Sequence, residues 1–238
     1  MFKFKKSVKI EYEPVVKLNS CNPFTVSKTL VPEWYKNEPL LVKETNKNIL
    51  PLSHTIKGCT PFLDALTVGY TLVTLMDLGI SQQLEGPVIT WVVPPSTNFK
   101  VIETRPSDHL PKELIPKGFS KTNFVFWTNT TLRVPKGYAM LCTHPLNRED
   151  LPFRTLSAVI DGGFPMQNGK APFFLREGFE GIIPKGTPFL QIIPFKLDVW
   201  KSELSSTLLQ EAVENEQISR LYAKPRYKTK FWQKKMYS

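Results

Sequence analysis

The sequence predicts a mainly β protein built from antiparallel strands, and three observations carry that reading. Its 21 prolines outnumber its 12 glycines and are scattered along the chain, which divides it into short pieces and disfavours long helices. From residue 86 to 195, apolar runs of four to eight residues recur between Gly and Pro, the pattern of an antiparallel sandwich, barrel or roll. One stretch, 199–222, spaces its apolar residues as a helix does.

The chain of 238 residues is long enough for one medium domain with arms or two small ones. With 41% hydrophobic and 22% charged residues it has material for a core, and the same balance argues against disorder, collagen and coiled coil. The net charge of +10 is concentrated at the ends. Residues 1–9 hold four lysines and 224–238 hold six basic residues, with no acid in either segment. The body between them is neutral, so attraction to a polyanion resides in the two arms. Cys21, Cys59 and Cys142 are odd in number and widely spaced, which excludes a disulfide framework and a CxxC zinc site and fits a reducing compartment. No run of 18 apolar residues spans a membrane and no apolar segment follows the N-terminal charge as in a secretory signal, so host cytoplasm or virion is expected.

Taken in order, residues 1–60 read as an N-terminal extended strap. Within it VPEWYKNEP (31–39) places Trp34 and Tyr35 between Pro32 and Pro39, as aromatics anchoring the strap to a core. Residues 61–198 form the expected core. PFLDALTVGYTLVTLMDLGI (61–80), rich in Thr, Val and Leu with Gly69 and Gly79 as breakers, predicts a strand pair. GPVITWVVPP and FKVIET each predict a strand. Pro106, Pro111 and Pro116 then exclude regular structure from Arg105 to Lys117. FVFWTNTTLRVPKGYAMLCTHP predicts two strands around Pro135-Lys136-Gly137, read as a turn with Pro at its second position. LSAVIDGG, PFFLR, FEGIIP and TPFLQIIPF predict the remaining strands. In 199–238, Trp200, Leu204, Leu208, Ala212, Ile218, Leu221 and Tyr222 mark a helical stripe, with Ser202 and Ser205 as cap candidates, Pro225 as the stop and a basic aromatic tail beyond.

Motifs for P-loop, Rossmann and zincin chemistry are absent from the sequence. Cys142 and His144 lie two residues apart, but on a strand such a pair shares a face through pleating alone, so it does not by itself define a nucleophile and base. No metal site is assigned.

An ordered set of pieces is more specific: DALTVGYTL (64–72), TLRVPKGYAML (131–141), HPLNREDLPF (144–153), SAVIDGGF (157–164) and FEGIIPKGTPFLQIIPF (179–195). Their order and spacing resemble the trimeric dUTPase and dCTP-deaminase superfamily, whose core is a β-clip, over residues 62–195. That resemblance implies a β-clip core and, between subunits, a nucleotide site. In it Asp161 matches the carboxylate that activates a water for attack on phosphate. Phe164 matches the ring packed on deoxyribose, Gln191 the final-strand glutamine, and Arg148 lies in the phosphate-binding segment. The departures are chemical. Pro145-Leu146-Asn147-Arg148 lacks the family's serine, Gly69-Tyr70-Thr71-Leu72 lacks its acid, and the glycine-rich C-terminal arm is replaced by a helix and basic tail. Asp161 also stands in Asp-Gly-Gly, a run suited to a turn whatever its chemistry. The whole chain, through VPEWYK, PFLDALTVGY, HPLNREDLPF, KGTPFLQIIPFK and KFWQKK, also resembles an uncharacterised family found in tailed phages, notably those of cyanobacteria, and in bacteria, which implies a phage origin and assigns no activity. A β-clip core is similar, too, to the scaffold of some trimeric phage capsid-decoration proteins.

Complete fold pieces with altered site chemistry predict a non-catalytic phage structural or interaction protein that forms a homo-oligomer, for which a trimer is one form, without a cofactor and with other phage structural proteins as partners. The alternative is a divergent nucleotide-binding protein or nucleotide pyrophosphatase using Asp161, Arg148, Phe164 and Gln191, for which Mg²⁺ would be required. A third reading is nucleic-acid attachment through the termini. In the tail, Lys228, Lys230, Phe231, Trp232, Lys234 and Lys235 suit either stacking and phosphate pairing or a groove on a neighbouring subunit.

Overall fold

Short apolar runs between turn residues fold as strands along most of the chain. The computed structural model describes residues 7–15, 22–43, 52–93, 99–166, 168–221 and 227–238. Cys21, the first part of the N-terminal basic arm and the expected helix end at Tyr222 and Pro225 lie outside the described residues. The strands are β1 (Glu11–Pro14), β2 (Phe24–Val26), β3 (Leu41–Lys43), β4 (Leu52–His54), β5 (Tyr70–Val73), β6 (Leu78–Gln83), β7 (Gly86–Thr90) and β8 (Ile102–Arg105), followed by β9 (Asn123–Trp127), β10 (Thr130–Arg133), β11 (Tyr138–Thr143), β12 (Phe153–Thr155), β13 (Ala158–Asp161), β14 (Lys170–Leu175), β15 (Gly181–Ile183) and β16 (Pro188–Lys196). The helices are α1 (Glu33–Asn37), α2 (Thr60–Thr67) and α3 (Leu208–Leu221). The fold is mainly β and antiparallel, with one long helix near the C-terminus.

The chain divides into two compact units, Met1–Asn37 with Ala65–Leu197, and Glu38–Asp64 with Asp198–Ser238. The larger unit holds a five-stranded sheet in the order β13-β11-β16-β5-β2, a four-stranded sheet β12-β14-β9-β8, a three-stranded sheet β15-β6-β7, and the pair β1-β10. Its core is aromatic. Phe126 of β9 stacks on Phe173 of β14 at 3.9 Å and on Phe189 of β16 at 4.5 Å, with the Phe153 ring edge-on at 5.2 Å. Because Phe189 belongs to the five-stranded sheet and the others to the four-stranded one, this stack joins the two, and such ring pairs add about 0.5–1.5 kcal/mol each beyond area burial. In the smaller unit β3 pairs with β4, α3 follows, and a single π-turn covers Tyr227–Phe231.

Several sequence expectations are corrected. Residues 61–80 do not form a strand pair: they begin within α2 and reach β5 only after Gly69. Pro61 sits in the first helical turn, where its fixed φ and missing N–H suit a helix start, and this outweighs the β character of the run. Gly69 has φ +76°, and a Cβ there would fall 2.2 Å from the Ile192 carbonyl, so the exit from helix to strand requires glycine. Residues 123–143 form three strands, since Asn129 takes φ +48° and its Nδ2 donates to the carbonyls of Lys100 and Trp127, separating β9 from β10. The turn at Pro135 is closed by the Tyr138 N–H to the Pro135 carbonyl, 3.2 Å, so proline is its first residue and Gly137, φ +86°, its third. Between Arg105 and Lys117 the prolines permit two 3₁₀ turns, Ser107–His109 and Lys112–Leu114.

The C-terminal helix starts later than its apolar stripe suggests. Ser205 Oγ accepts from the N–H groups of Thr207 and Leu208, at 3.3 and 3.1 Å, and fixes the N-terminus there. The Ser205-Ser206-Thr207 run favours such local bonds over helix, so Trp200 and Leu204 precede α3 and are exposed. Of the two strap aromatics, Tyr35 is buried while the Trp34 ring is partly exposed, held by its Nε1–H to Asp150 Oδ1 at 3.3 Å.

Candidate functional site

Gln191 lies in the middle of β16, opposite Thr143 of β11 and Thr71 of β5. It is 2% exposed, so its amide must be satisfied internally. Its Oε1 accepts from the Leu146 N–H at 2.8 Å, and its Nε2 donates to the carbonyls of Val68 at 2.7 Å and Ala65 at 3.1 Å. The side chain therefore staples the HPLNRED loop and the end of α2 to the sheet. In the same row Thr71 pairs its hydroxyl with Ser27 Oγ at 2.8 Å, and Thr143 pairs with Ser157 at 2.7 Å.

Arg148 is held as firmly. Its Nε and Nη2 donate to the two oxygens of Asp150, both at 2.9 Å, a forked pair that fixes the guanidinium plane. Burial alone would raise the Asp150 carboxyl, but the hydrogen bonds and charge of Arg148, with help from Trp34, hold it below the usual carboxylate range. The space left where Arg148, Gln191, Ser27 and Thr71 meet is about 10 Å³, enough for roughly one water.

Asp161 and Phe164 occupy a different place. Strand β13 is an edge of the five-stranded sheet, and Asp161 at its end pairs in register with Ala139. The turn that follows is set by backbone: the Gly162 and Gly163 N–H groups donate to the carbonyls of Tyr138 and Val134, both at 2.8 Å. A Cβ on Gly162 would lie 2.4 Å from the Pro135 carbonyl, so that residue must be glycine for reasons of space. Asp161 is exposed, Val159 is 61% exposed and Phe164 is 75% exposed.

The structure thus brings Arg148 and Gln191 to one place and Asp161 and Phe164 to another. Along β11 the partners of Asp161 and Gln191, Ala139 and Thr143, are four residues apart, roughly 13 Å at strand rise. A cavity of about 190 Å³ bordered by Cys142, Leu156, Ile160, Met166 and Leu190 includes none of the four matched residues. An open concavity of about 650 Å³ beside Phe164 is completed by Thr131, Pro165 and Met166, with no charge to meet a phosphate. Among the described residues no cluster of three or more His, Cys, Asp or Glu side chains could hold a metal ion, and no helix is long and apolar enough to cross a membrane.

Cys142 and His144 form no reactive pair. Burial pushes the Cys142 thiol up to about 11, and both ring nitrogens of His144 are engaged elsewhere. Nδ1 accepts from the Thr155 N–H at 3.3 Å, and Nε2 lies 3.2 Å from the Arg148 carbonyl, which requires the proton on Nε2. Burial lowers its ionisation below the ordinary value.

In the smaller unit, Asp64 of α2 receives the basic tail. Trp232 Nε1 donates to its Oδ2 at 2.8 Å and Lys235 Nζ at 2.6 Å, with Lys235 5.7 Å from the Trp232 ring. Lys228, Lys230, Phe231 and Lys234 are exposed. Sequence reasoning passed over Asp64 and Asp150. The Arg148-Glu149-Asp150 neighbourhood offered a local charge signal for the second, whereas Asp64 meets its partners 168 and 171 positions away, beyond any local pattern.

No family model matches the chain, and no curated protein matches it. Among solved structures, a variant of the dUTPase from phage phi11 of S. aureus is 15% identical and covers 45% of this chain and 96% of its own, with a TM-score of 0.25. A variant of the Staphylococcus bacteriophage 80alpha dUTPase with dUpNHpp is 16% identical and covers 48% of this chain and 80% of its own, with a TM-score of 0.26. Superpositions this loose carry no argument about site or activity.

Proposed function

We propose that the protein is a non-catalytic phage structural or interaction protein that self-associates through its β core. The observation that supports this reading is the state of the matched residues. Arg148 is clasped by Asp150, Gln191 is committed to three backbone groups, and about 10 Å³ remains between them, too little for a nucleotide within one chain, while Asp161 stands apart on an edge, so both polar groups that would meet a ligand from a second copy are already engaged internally. A reaction needs its groups converged on one substrate. The same edge offers a surface for association: among the described residues β13 has no strand on its outer side, it carries exposed Val159, and exposed Phe164 follows it beyond the Gly162-Gly163 turn, a feature that proteins rarely leave uncovered.

The test is pyrophosphate release from a panel of deoxynucleoside triphosphates with Mg²⁺, run beside light scattering on the same full-length sample. The expected result is a mass that is a multiple of the chain and a release rate equal to that of Asp161→Ala. A release rate that Asp161→Ala abolishes would replace this reading with a pyrophosphatase whose site is completed between copies.

A further inference from the structure

Two surfaces of the unit formed by Glu38–Asp64 and Asp198–Ser238 are exposed, apolar and opposite in charge. The first is α3 with the segment leading into it. Residues 198–221 hold five acids, Asp198, Glu203, Glu211, Glu214 and Glu216, against two bases, Lys201 and Arg220, with all five acids N-terminal to Ile218. Leu204 is 100% exposed, Leu209 78% and Leu208 64%, and Val213 is exposed beside them. Glu211 and Glu214 accept from the neutral groups of Thr207 and Gln210, bonds that leave their charge in place.

The second surface is the arm 227–238, with four lysines and no acidic side chain. Its course is fixed by the π-turn, closed by the Trp232 N–H to the Tyr227 carbonyl at 2.7 Å, and by the anchorage of Trp232 and Lys235 on Asp64. Lys228, Lys230 and Lys234 are exposed together with Tyr227, Phe231 and Met236.

Although both belong to one unit, neither covers the other within the chain, as the exposure of their apolar residues shows. Each has what the other lacks: exposed leucines among glutamates on one, exposed rings and a methionine among lysines on the other. We infer that the 198–218 surface of one copy is the docking site for the basic aromatic arm of a second copy, an inference that rests on the assembly reading above. Phe231, Tyr227 and Met236 pack on Leu204, Leu208, Leu209 and Val213, while Lys228, Lys230 and Lys234 meet Glu203, Glu211 and Glu214 at the rim, the arrangement of an apolar centre within a polar margin. The contact joins unlike surfaces, so each copy offers both halves and a ring of copies satisfies all of them. A nucleic acid suits the unit less well, because the acidic helix opposes a phosphate backbone.

The test uses the full chain in two charge-reversed forms, Glu203→Lys/Glu211→Lys/Glu214→Lys and Lys228→Glu/Lys230→Glu/Lys234→Glu, each checked for folding by circular dichroism and read by sedimentation at low and high salt. Wild type is expected to associate in a salt-sensitive manner, and each variant alone on the order of a hundredfold more weakly, because like charges then face one another. Mixing the two variants restores association, since each supplies the surface complementary to the other. Variants that associate like wild type would overturn the inference while leaving the assembly reading intact, whereas a wild type that stays monomeric would remove that reading itself. An arm variant that keeps its mass but loses salt-dependent DNA retention would also overturn it, in favour of nucleic acid. The arm variant alters only exposed lysines, so it decides the matter alone if the helix variant does not fold.

Discussion

The loop around Arg148 and the hairpin ending at Asp161 flank the same sheet and resemble parts of the same nucleotide site, yet physically they are opposites. At the first, every chemistry-bearing group is bonded within the chain: guanidinium to carboxylate, amide to three backbone groups, hydroxyl to hydroxyl. At the second, backbone alone determines the turn while the Asp161 and Phe164 side chains face outward. The difference shows that residues spaced alike in sequence can hold a sheet together in one region and lie on the surface in another. Side chains whose spacing suggests catalysis serve as staples in one place and as surface in the other.

Substitutions can sharpen that contrast. Gln191→Leu should have the largest effect, about 3–4 kcal/mol in urea unfolding, because it orphans the Leu146 N–H and two partly buried carbonyls. Gly162→Ala should follow at about 2–3 kcal/mol, since its Cβ meets the Pro135 and Tyr138 carbonyls. Arg148→Ala should cost about 1–2 kcal/mol by removing a forked, half-buried ion pair. It should also raise the Asp150 carboxyl, which NMR titration would read, because burial is then left without the opposing cation. Asp161→Ala and Phe164→Ala should change stability least, by under ~0.5 kcal/mol. If Asp161→Ala instead cost as much as Gln191→Leu, the contrast between the two regions would fail.

A pH dependence belongs to the Arg148 side as well. His144 is buried and neutral, facing Arg148, Glu149 and Arg154, and its folded ionisation is lowered from 6.5, chiefly by burial. The unfolded chain therefore takes up the proton first. Stability is full above the unfolded value and declines as pH falls below it toward the lower folded value. Urea midpoints measured from about pH 7.5 to about pH 5 should fall in wild type and fall less in His144→Gln.

Much of this architecture was legible in the sequence. The antiparallel β class, the strands from LSAVIDGG to TPFLQIIPF and the single long helix followed from short apolar runs and one helical stripe. What misled was local competition. Pro61 started a helix in a β-rich run, Asn129 adopted a left-handed backbone where strand was expected, and Ser205 capped the helix beyond Trp200 and Leu204. The four matched positions could be aligned by spacing, but whether they converge is decided by strand register. Ala139 opposite Asp161 and Thr143 opposite Gln191 could not be read before the sheet order was known. The Asp64 anchor of the tail was out of reach for the same reason.

The proposed function requires that Arg148, Gln191, Asp161 and Phe164 make no nucleotide site. Calorimetric titration of the full chain with a non-hydrolysable deoxynucleoside triphosphate, with and without Mg²⁺, tests it most directly. The expected result is no binding heat in either condition and none in Asp161→Ala. A Mg²⁺-dependent heat that disappears in Asp161→Ala and in Arg148→Ala would contradict it.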